Sequence, residues 1–258
     1  MRGTIDSLVN AGLAKVNTLN KSKISYLMLT MLGGIFVGFG ILLLITIGGL
    51  LDPAGSPYMR IIQGISFGVA LSFVVMGGAD LFTGNHLIMT ISTLEKRTTW
   101  TNTWTIWIAS FIGNLIGSVL CAFMYYMTGL HEGNIATYVD KLAAAKMNAP
   151  FMELLFRGIL CNTLVCLAVW CSFRLKNESA KLGMIFCCIF PFITSGFEHS
   201  VANMTLLSIA LMIPHGELVT IGGFFANLIP VSIGNIIGGA LVIGAAFWYG
   251  QADRRVNS

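Results

Sequence analysis

Charged residues are scarce in this chain, and what it lacks excludes several classes of protein. Only 10% of the 258 residues are charged, against about 25% in an average soluble domain. No Cys, His and carboxylate residues stand at the spacing of a metal site, and no glycine-rich phosphate loop follows a strand pattern. No basic stretch interleaved with aromatic residues points to nucleic-acid binding. We therefore expect no metal, no cofactor and no nucleic-acid partner.

Hydrophobic residues dominate the composition of the chain. Hydrophobic residues make up 55% of the chain, with several runs of about twenty apolar residues, the length that crosses a lipid bilayer as a helix. The sequence therefore predicts an all-α membrane protein with six transmembrane helices. The predicted spans are roughly 24–51, 61–94, 101–127, 151–173, 182–212 and 222–249.

Lysine and arginine residues are distributed unevenly about these spans. With the N-terminus placed inside, eleven of the fifteen fall in inner segments and three in outer loops, while Arg157 lies within the fourth span. The positive-inside rule therefore places both termini in the cytoplasm and the protein in the inner (cytoplasmic) membrane. We divide the chain into an amphipathic helix at the membrane surface (1–23), a six-span channel domain (24–250) and a cytoplasmic C-terminal tail (251–258).

Polar residues interrupt the second and fifth spans. The fifth carries Glu198 and His199 inside an apolar segment, where an ionisable group costs about 2.5–3.5 kcal/mol at a helix centre. Glycines accompany the polar residues at 77–85 and at 195–203, so we interpret helices 2 and 5 as broken. Each restarted half-helix directs its unpaired N–H groups, with about half a positive charge, at the bilayer centre. Two such ends favour an anion.

The two halves of the chain share a short motif. Ile112–Gly117 reads IGNLIG, and Ile233–Gly238, 121 residues later, reads IGNIIG; the two interruptions align at an offset of 118. Chance glycine patterning is the alternative, because small residues recur on helix-packing faces. Two matches at nearly equal offsets favour duplication. With three spans in each half (about 24–128 and 151–250), the halves form an inverted repeat.

A histidine at the second interruption is the centre of the predicted site. His199 can hydrogen-bond an anion or neutralise it by proton transfer, because imidazole titrates near neutrality; a satisfied core histidine is the alternative. His86 lies beyond the first break, and we assign it to the half-helix. Thr83 is a candidate hydroxyl partner, or else a helix cap. Glu198 and Asp80 are expected to accept backbone N–H groups and so to hold the two loops.

Apolar side chains flank this polar centre and are candidates for dry constrictions that disfavour hydrated ions. For any one of them, core packing is at least as good an explanation. They are Phe67, Leu71 and Phe192 before the breaks, and Leu81 and Phe82 within the first break. In the fourth span, Glu153 and Arg157 stand four residues apart and are expected to form a structural ion pair.

Three motifs resemble those of a known family, and the resemblance covers about residues 8–250. They are Ala79–Thr83 (ADLFT), Gly158–Asn162 (GILCN) and Gly196–Met204 (GFEHSVANM). In these motifs the chain is similar to the formate/nitrite transporter family. The resemblance implies an aquaporin-like six-helix protomer with its own pore, assembled in the lipid bilayer as a homopentamer. It also implies transport of a small inorganic or carboxylate anion, such as nitrite, formate or hydrosulfide.

The resemblance further implies roles for individual residues. His199 corresponds to the central pore histidine, Thr83 to its threonine partner, Asn162 to the asparagine beside the pore and Glu198 to the carboxylate preceding the histidine. The remaining matches concern the passages leading to this centre. They are Leu71, Phe192 and Phe67 at the cytoplasmic slit, Leu81 and Phe82 at the periplasmic slit, Lys146 at the outer vestibule and Lys15 near the inner mouth.

The sequence thus predicts a channel or transporter for small weak-acid anions, with nitrite first and formate or hydrosulfide as alternatives. A hydrolase triad at 198–200 is not expected, because adjacent residues point apart and no nucleophile elbow is present; we predict no enzyme. A neutral-solute pore like the aquaporins is the alternative from another class. Those pores place Asn-Pro-Ala at both half-helix starts, whereas here Gly84–His86 and Ala202–Met204 contain no proline.

Overall fold

The fold is built from helices. The computed structural model describes residues 2–250, so the predicted tail at 251–258 lies outside the described residues. Within 2–250 every regular element is helical, which confirms the all-α prediction. The elements are α1 (Arg2–Lys21), α2 (Lys23–Leu51), α3 (Met59–Gly77), α4 (Phe82–Leu94), α5 (Trp100–Met127), α6 (Asn134–Met147), α7 (Phe151–Arg174), α8 (Glu178–Ser195), α9 (Ser200–Met212), α10 (Ile221–Ile236), a π-helical stretch (Ile237–Ala245) and α11 (Ala246–Tyr249).

Within residues 2–250, six helical segments are long and apolar enough to cross a membrane. They are α2, α3, α5, α7, α8 and the continuous segment Ile221–Tyr249. Large apolar side chains such as Ile108, Phe156 and Phe225 are exposed on them, as a lipid-facing surface requires. The molecule is therefore a multi-pass membrane protein, as the sequence predicts.

The second and fifth predicted spans each contain two helices. Residues 78–81 separate α3 from α4, and residues 196–199 separate α8 from α9. α3 and α8 both end at a glycine in the left-handed conformation, Gly78 with φ 70° and Gly196 with φ 79°. A side chain disfavours that conformation, so glycine is the residue that lets the backbone leave each helix.

α1 has an apolar face, as predicted, but protein covers that face. Ile5 and Leu8 are buried in a cluster with side chains of α4 and α7, including Leu87 and Trp170. The expectation that this helix rests its apolar face on the membrane surface is therefore wrong. Helical periodicity shows that one face is apolar, but it does not distinguish lipid from a neighbouring helix.

Glycines allow α2 and α5 to pack closely. A Cβ atom at Gly117 would overlap the backbone of Met31, and one at Gly34 would overlap the backbone of Asn114. Backbone cannot rotate away as a flexible side chain can. This close approach brings Asn114 of α5 to the loop between α3 and α4.

We expect Gly117→Ala to lower the unfolding temperature, because overpacking a well-packed core costs about 1–3 kcal/mol. Thermal unfolding of the purified protein in detergent, followed by tryptophan fluorescence, measures the shift. Gly183→Ala is the matched control, since Gly183 lies in α8 with open space where its Cβ would stand. That variant should unfold no earlier than the wild type. Equal losses in both variants would contradict the packing account.

Candidate functional site

The two interhelical loops bring His199 and Thr83 together in the interior. His199 precedes α9, Thr83 lies in the first turn of α4, and both side chains are buried. The Nε2 atom of His199 lies 3.0 Å from the Oγ1 atom of Thr83, although the residues are 116 positions apart. Loop 196–199 and the start of α4 thus meet at one polar point, as the site prediction requires.

The hydrogen bonds of His199 indicate which of its two ring nitrogens carries the proton. Its Nδ1 atom accepts the backbone N–H of Ala202 at 3.2 Å and thereby caps the first turn of α9. A ring nitrogen that accepts carries no hydrogen, so the neutral ring holds its proton on Nε2 and donates it to Thr83 Oγ1. Thr83 then retains its own hydroxyl hydrogen for a further acceptor. The pair can therefore offer hydrogen bonds to an anion.

Side chains, and not backbone N–H groups, satisfy the two buried carboxylates. Glu198 Oε2 accepts hydrogen bonds from Lys146 Nζ at 2.7 Å and Asn203 Nδ2 at 2.6 Å. The backbone-binding prediction for Glu198 and Asp80 is therefore wrong. A paired lysine provides a full compensating charge, which backbone dipoles do not, and buried carboxylates are tolerated when so paired.

Asp80 has an equivalent set of partners. Its Oδ2 atom accepts a hydrogen bond from Lys15 Nζ at 2.5 Å, and its Oδ1 atom accepts from Asn85 Nδ2 at 2.6 Å and from the Tyr26 hydroxyl at 3.1 Å. Lys15, on α1, is thus bound to the loop between α3 and α4. Lys146, on α6, is bound in the same way to the loop between α8 and α9.

Two asparagines of the repeated hexapeptide hold the same loops. Asn114 Oδ1 accepts the backbone N–H of Phe82 at 2.8 Å, while its Nδ2 donates to the Asp80 carbonyl at 2.9 Å. Asn235 Oδ1 accepts the N–H of Ser200 at 2.9 Å, while its Nδ2 donates to the Glu198 carbonyl at 3.0 Å. The repeated motif indicates duplication, but its pattern alone does not predict that its asparagines hold the two loops.

Asn162 lies beside the centre and connects it to α4. Its Nδ2 atom donates to the carbonyl oxygens of Thr83 at 3.2 Å and Asn235 at 2.6 Å, and lies 2.9 Å from His86 Nδ1. His86 is in α4, as assigned from the sequence, with its ring edge-on to that of Phe82 at 4.3 Å. The structure therefore brings Asn162 to the backbone of Thr83.

A cavity of about 380 Å³ reaches His199 from one side. Phe192, Glu198 and Lys146 also line it. The Phe192 ring lies 6.1 Å from the His199 ring and packs edge-on against Phe67 at 5.8 Å. We call this space the α6-side cavity, because α6 forms one wall with Tyr138, Lys141, Leu142, Ala145 and Lys146.

A second cavity, of about 180 Å³, lies beside loop 78–81. Leu71, Leu81 and Val169 are among its lining residues. We call it the α4-side cavity, since Gly84, Asn85 and Ile88 of α4 also line it. Phe82 packs instead against His86 and Phe111.

These positions correct the expected sides of the constrictions. The resemblance placed Phe192 at the cytoplasmic slit and Lys146 at the outer vestibule, but both line the α6-side cavity. Leu81, expected at the periplasmic slit, shares the α4-side cavity with Leu71. The reason is that α3 starts beside the α6-side cavity, which Met59 lines, and Phe67 lies only about two turns further along α3.

The predicted Glu153–Arg157 ion pair is confirmed, with Arg157 Nη2 2.5 Å from Glu153 Oε2.

In the described part of the chain, six apolar helical segments lie around a buried polar centre with a cavity on either side. This arrangement defines a multi-pass membrane protein with the architecture of a transporter or channel. Residues 2–249 match the family described as Formate/nitrite transporter. The chain belongs to this family, whose members are transporters and channels and not enzymes.

Individual relatives agree with this assignment. The nitrite transporter NirC of Escherichia coli (strain K12) is 40% identical over 87% of this chain and 84% of its own length. A solved structure described as an FNT family ion channel superposes with a TM-score of 0.93, at 34% identity over 97% of this chain and 99% of the other. A pentameric formate channel with formate bound gives 0.77 at 26% identity, over 89% of this chain and 97% of the other.

Proposed function

We propose that this protein is a channel or proton-coupled carrier for a small monovalent weak-acid anion, nitrite first, with formate and hydrosulfide next. The observation that carries the proposal is the buried His199–Thr83 hydrogen bond between two cavities. Nitrite comes first because a relative of 40% identity is named a nitrite transporter. Formate follows because a similar solved structure is titled with formate bound.

In the proposed mechanism, the anion meets hydrogen-bond donors at the polar centre. The hydroxyl of Thr83 donates to it, and the Nε2–H of His199 donates to it in place of Thr83 Oγ1. For His199 to transfer a proton, it first takes one from the aqueous side, because a neutral imidazole cannot give up its one N–H. The first turns of α4 and α9 also start here, and each helix N-terminus carries about half a positive charge. The species that leaves the centre therefore carries less effective charge than the one that arrived.

Dry constrictions make that change of charge necessary. Phe67 and Phe192 are assigned to the constriction of the α6-side cavity, and Leu71, Leu81 and the adjacent Phe82 to that of the α4-side cavity. All five side chains are buried. Apolar rings and branched chains disfavour a hydrated ion, so a neutralised or hydrogen-bonded anion passes more readily.

The proposed architecture is an aquaporin-like inverted repeat with broken second and fifth helices, comprising about 24–128 and 151–250 after an N-terminal helical segment at 1–23. Support comes from the paired bonds of Asn114 and Asn235 to Phe82 and Ser200. Further support comes from the equivalent Lys15–Asp80 and Lys146–Glu198 pairs. We also propose a homopentamer in the inner membrane with both termini in the cytoplasm, since a similar channel is titled pentameric.

Uptake by liposomes containing the purified protein tests which anion is carried. Nitrite, formate and hydrosulfide are each offered at acidic and at neutral pH, with protein-free liposomes as the reference. We expect nitrite uptake to exceed that of the other two and to increase from neutral to acidic pH, because the proton that neutralises the anion comes from the aqueous side. Equal rates for protein-containing and protein-free liposomes with all three anions would contradict the proposal.

A further inference from the structure

The two lysines matched to the outer vestibule and the inner mouth, Lys146 and Lys15, are neutralised by carboxylates. Lys146 lies 2.7 Å from Glu198 and Lys15 lies 2.5 Å from Asp80, and each lysine side chain is only 18% exposed. A close pair of opposite charges has a weak field beyond its immediate surroundings. These two lysines therefore hold the loops in place and contribute little net charge to either cavity.

Arginine provides the uncompensated charge of the α6-side cavity. The charged residues that line it are Asp52, Arg60, Lys141, Lys146, Arg157 and Glu198, four basic and two acidic, which leaves a net charge of +2. Lys141 pairs with Asp52 at 2.9 Å and Lys146 pairs with Glu198. Burial raises the pKa of the Tyr138 phenol, so this lining hydroxyl stays neutral. Arg60 and Arg157 have no carboxylate partner among the lining residues.

Arg60 lies beside the loop that carries His199. Its Nη1 atom is 3.8 Å from the point where a Cβ at Gly196 would stand. Among residues 2–250 the Arg60 side chain has no hydrogen bond or ion pair. A guanidinium carries five N–H donors in a planar fork that matches small carboxylate-like anions.

Arg157, on α7, also lines this cavity. Its one ion-pair partner, Glu153, lies one turn earlier on the same helix and is not among the lining residues. Both side chains of that pair are more than a third exposed, so solvent screens their attraction. The Arg157 carbonyl accepts the backbone N–H of Glu198 at 3.3 Å, which fixes α7 beside the loop.

The α4-side cavity offers no such charge. Its lining residues within 2–250 include no Asp, Glu, Lys or Arg. The two approaches to the centre are therefore electrostatically unequal. An anion is concentrated at a mouth lined by positive charge and is not concentrated at one lined by apolar side chains.

We propose that Arg60 and Arg157 form an anion-recruiting site at the mouth of the α6-side cavity, which makes anion capture stronger from that side than from the other. This inference rests on the proposed anion transport. The site binds a small monovalent oxyanion or carboxylate transiently before it reaches His199. It raises the local anion concentration, so it changes the concentration at half-maximal uptake and leaves the maximal rate unchanged.

The test uses right-side-out and inside-out membrane vesicles from cells that produce the full chain, with nitrite as the probe at low ionic strength. Arg60→Gln with Arg157→Gln should raise the nitrite concentration at half-maximal uptake roughly three- to tenfold in one vesicle orientation only. The increase should shrink in concentrated salt, where the screening length falls to about 3 Å at 1 M. Arg174→Gln, a loss of the same charge at the other end of α7, is the matched control and should have no such effect.

The corresponding lysine variants keep the inference falsifiable if a glutamine variant folds poorly. Arg60→Lys with Arg157→Lys preserves both charges and should keep half-maximal uptake within about twofold of the wild type. If the glutamine variants show an unchanged half-maximal concentration while the wild type takes up nitrite, the recruiting site is wrong and the proposed transport stands. A lysine variant as impaired as the glutamine variant also contradicts recruitment by charge. If the wild type shows no uptake, both proposals fail.

Discussion

His199→Phe is expected to abolish pH-dependent anion flux. The imidazole Nε2 of His199 lies 3.0 Å from Thr83 Oγ1, and phenylalanine has neither a proton to donate nor a dipole to stabilise an anion. With that donor gone, the polar centre loses the group that reduces the charge of the anion before the second constriction. Anion uptake by liposomes across a pH series measures the loss.

The matched control for this variant is His199→Asn. Asn is a strong N-cap residue, so it preserves the cap on α9 that His199 provides through Ala202. We therefore expect His199→Asn to retain stability, while phenylalanine costs about 0.5–2 kcal/mol for the lost cap. Both variants should assemble, as size-exclusion chromatography in detergent would show, and neither should respond to pH as the wild type does. Wild-type pH dependence in either variant would refute the proposed role of His199.

Lys146→Met is expected to cause the largest loss of stability among the substitutions considered. It removes the cation that lies 2.7 Å from Glu198, a carboxylate only 3% exposed. An uncompensated buried charge costs about 3–5 kcal/mol, which in a domain of this size lowers the unfolding temperature by roughly 10 °C. Thermal unfolding in detergent measures the shift.

The double variant Lys146→Met with Glu198→Gln separates charge burial from simple loss of contacts. Glutamine keeps the acceptor oxygen for Asn203 Nδ2 and removes the charge, so the double variant should recover most of the stability. Replacing a buried pair with neutral groups is often close to neutral in stability. If the double variant were as unstable as the sum of the single variants, the pair would not be coupled and this account of the loop would be wrong.

Much of this architecture was predictable because a polar residue or a glycine within a long apolar segment is informative by itself. A Glu-His pair within a run of hydrophobic residues is costly in lipid, and the structure places His199 against Thr83 at 3.0 Å. The positions of Gly78 and Gly196 fixed where the helices end. The repeated IGN hexapeptide located Asn114 and Asn235, though not their hydrogen bonds.

The errors concern contacts that depend on how helices pack against one another. Lys15 and Asp80 are 65 residues apart, and no local pattern pairs them. Whether the apolar face of α1 meets lipid or α4 also depends on tertiary packing. The sides of the constrictions were assigned wrongly because they were taken from the resemblance. The direction of α3 would have placed Phe67 towards the α6-side cavity, but no sequence pattern shows where the ring of Phe192 points.

The measurement that most directly tests anion transport compares two permeabilities in the same liposomes. Nitrite uptake and water or glycerol permeability are recorded side by side, for vesicles with and without the purified protein. The proposed function predicts nitrite uptake well above the protein-free vesicles, with water and glycerol permeability unchanged. Increased water or glycerol permeability without nitrite, formate or hydrosulfide uptake would contradict it, and would assign the chain to the neutral-solute pores.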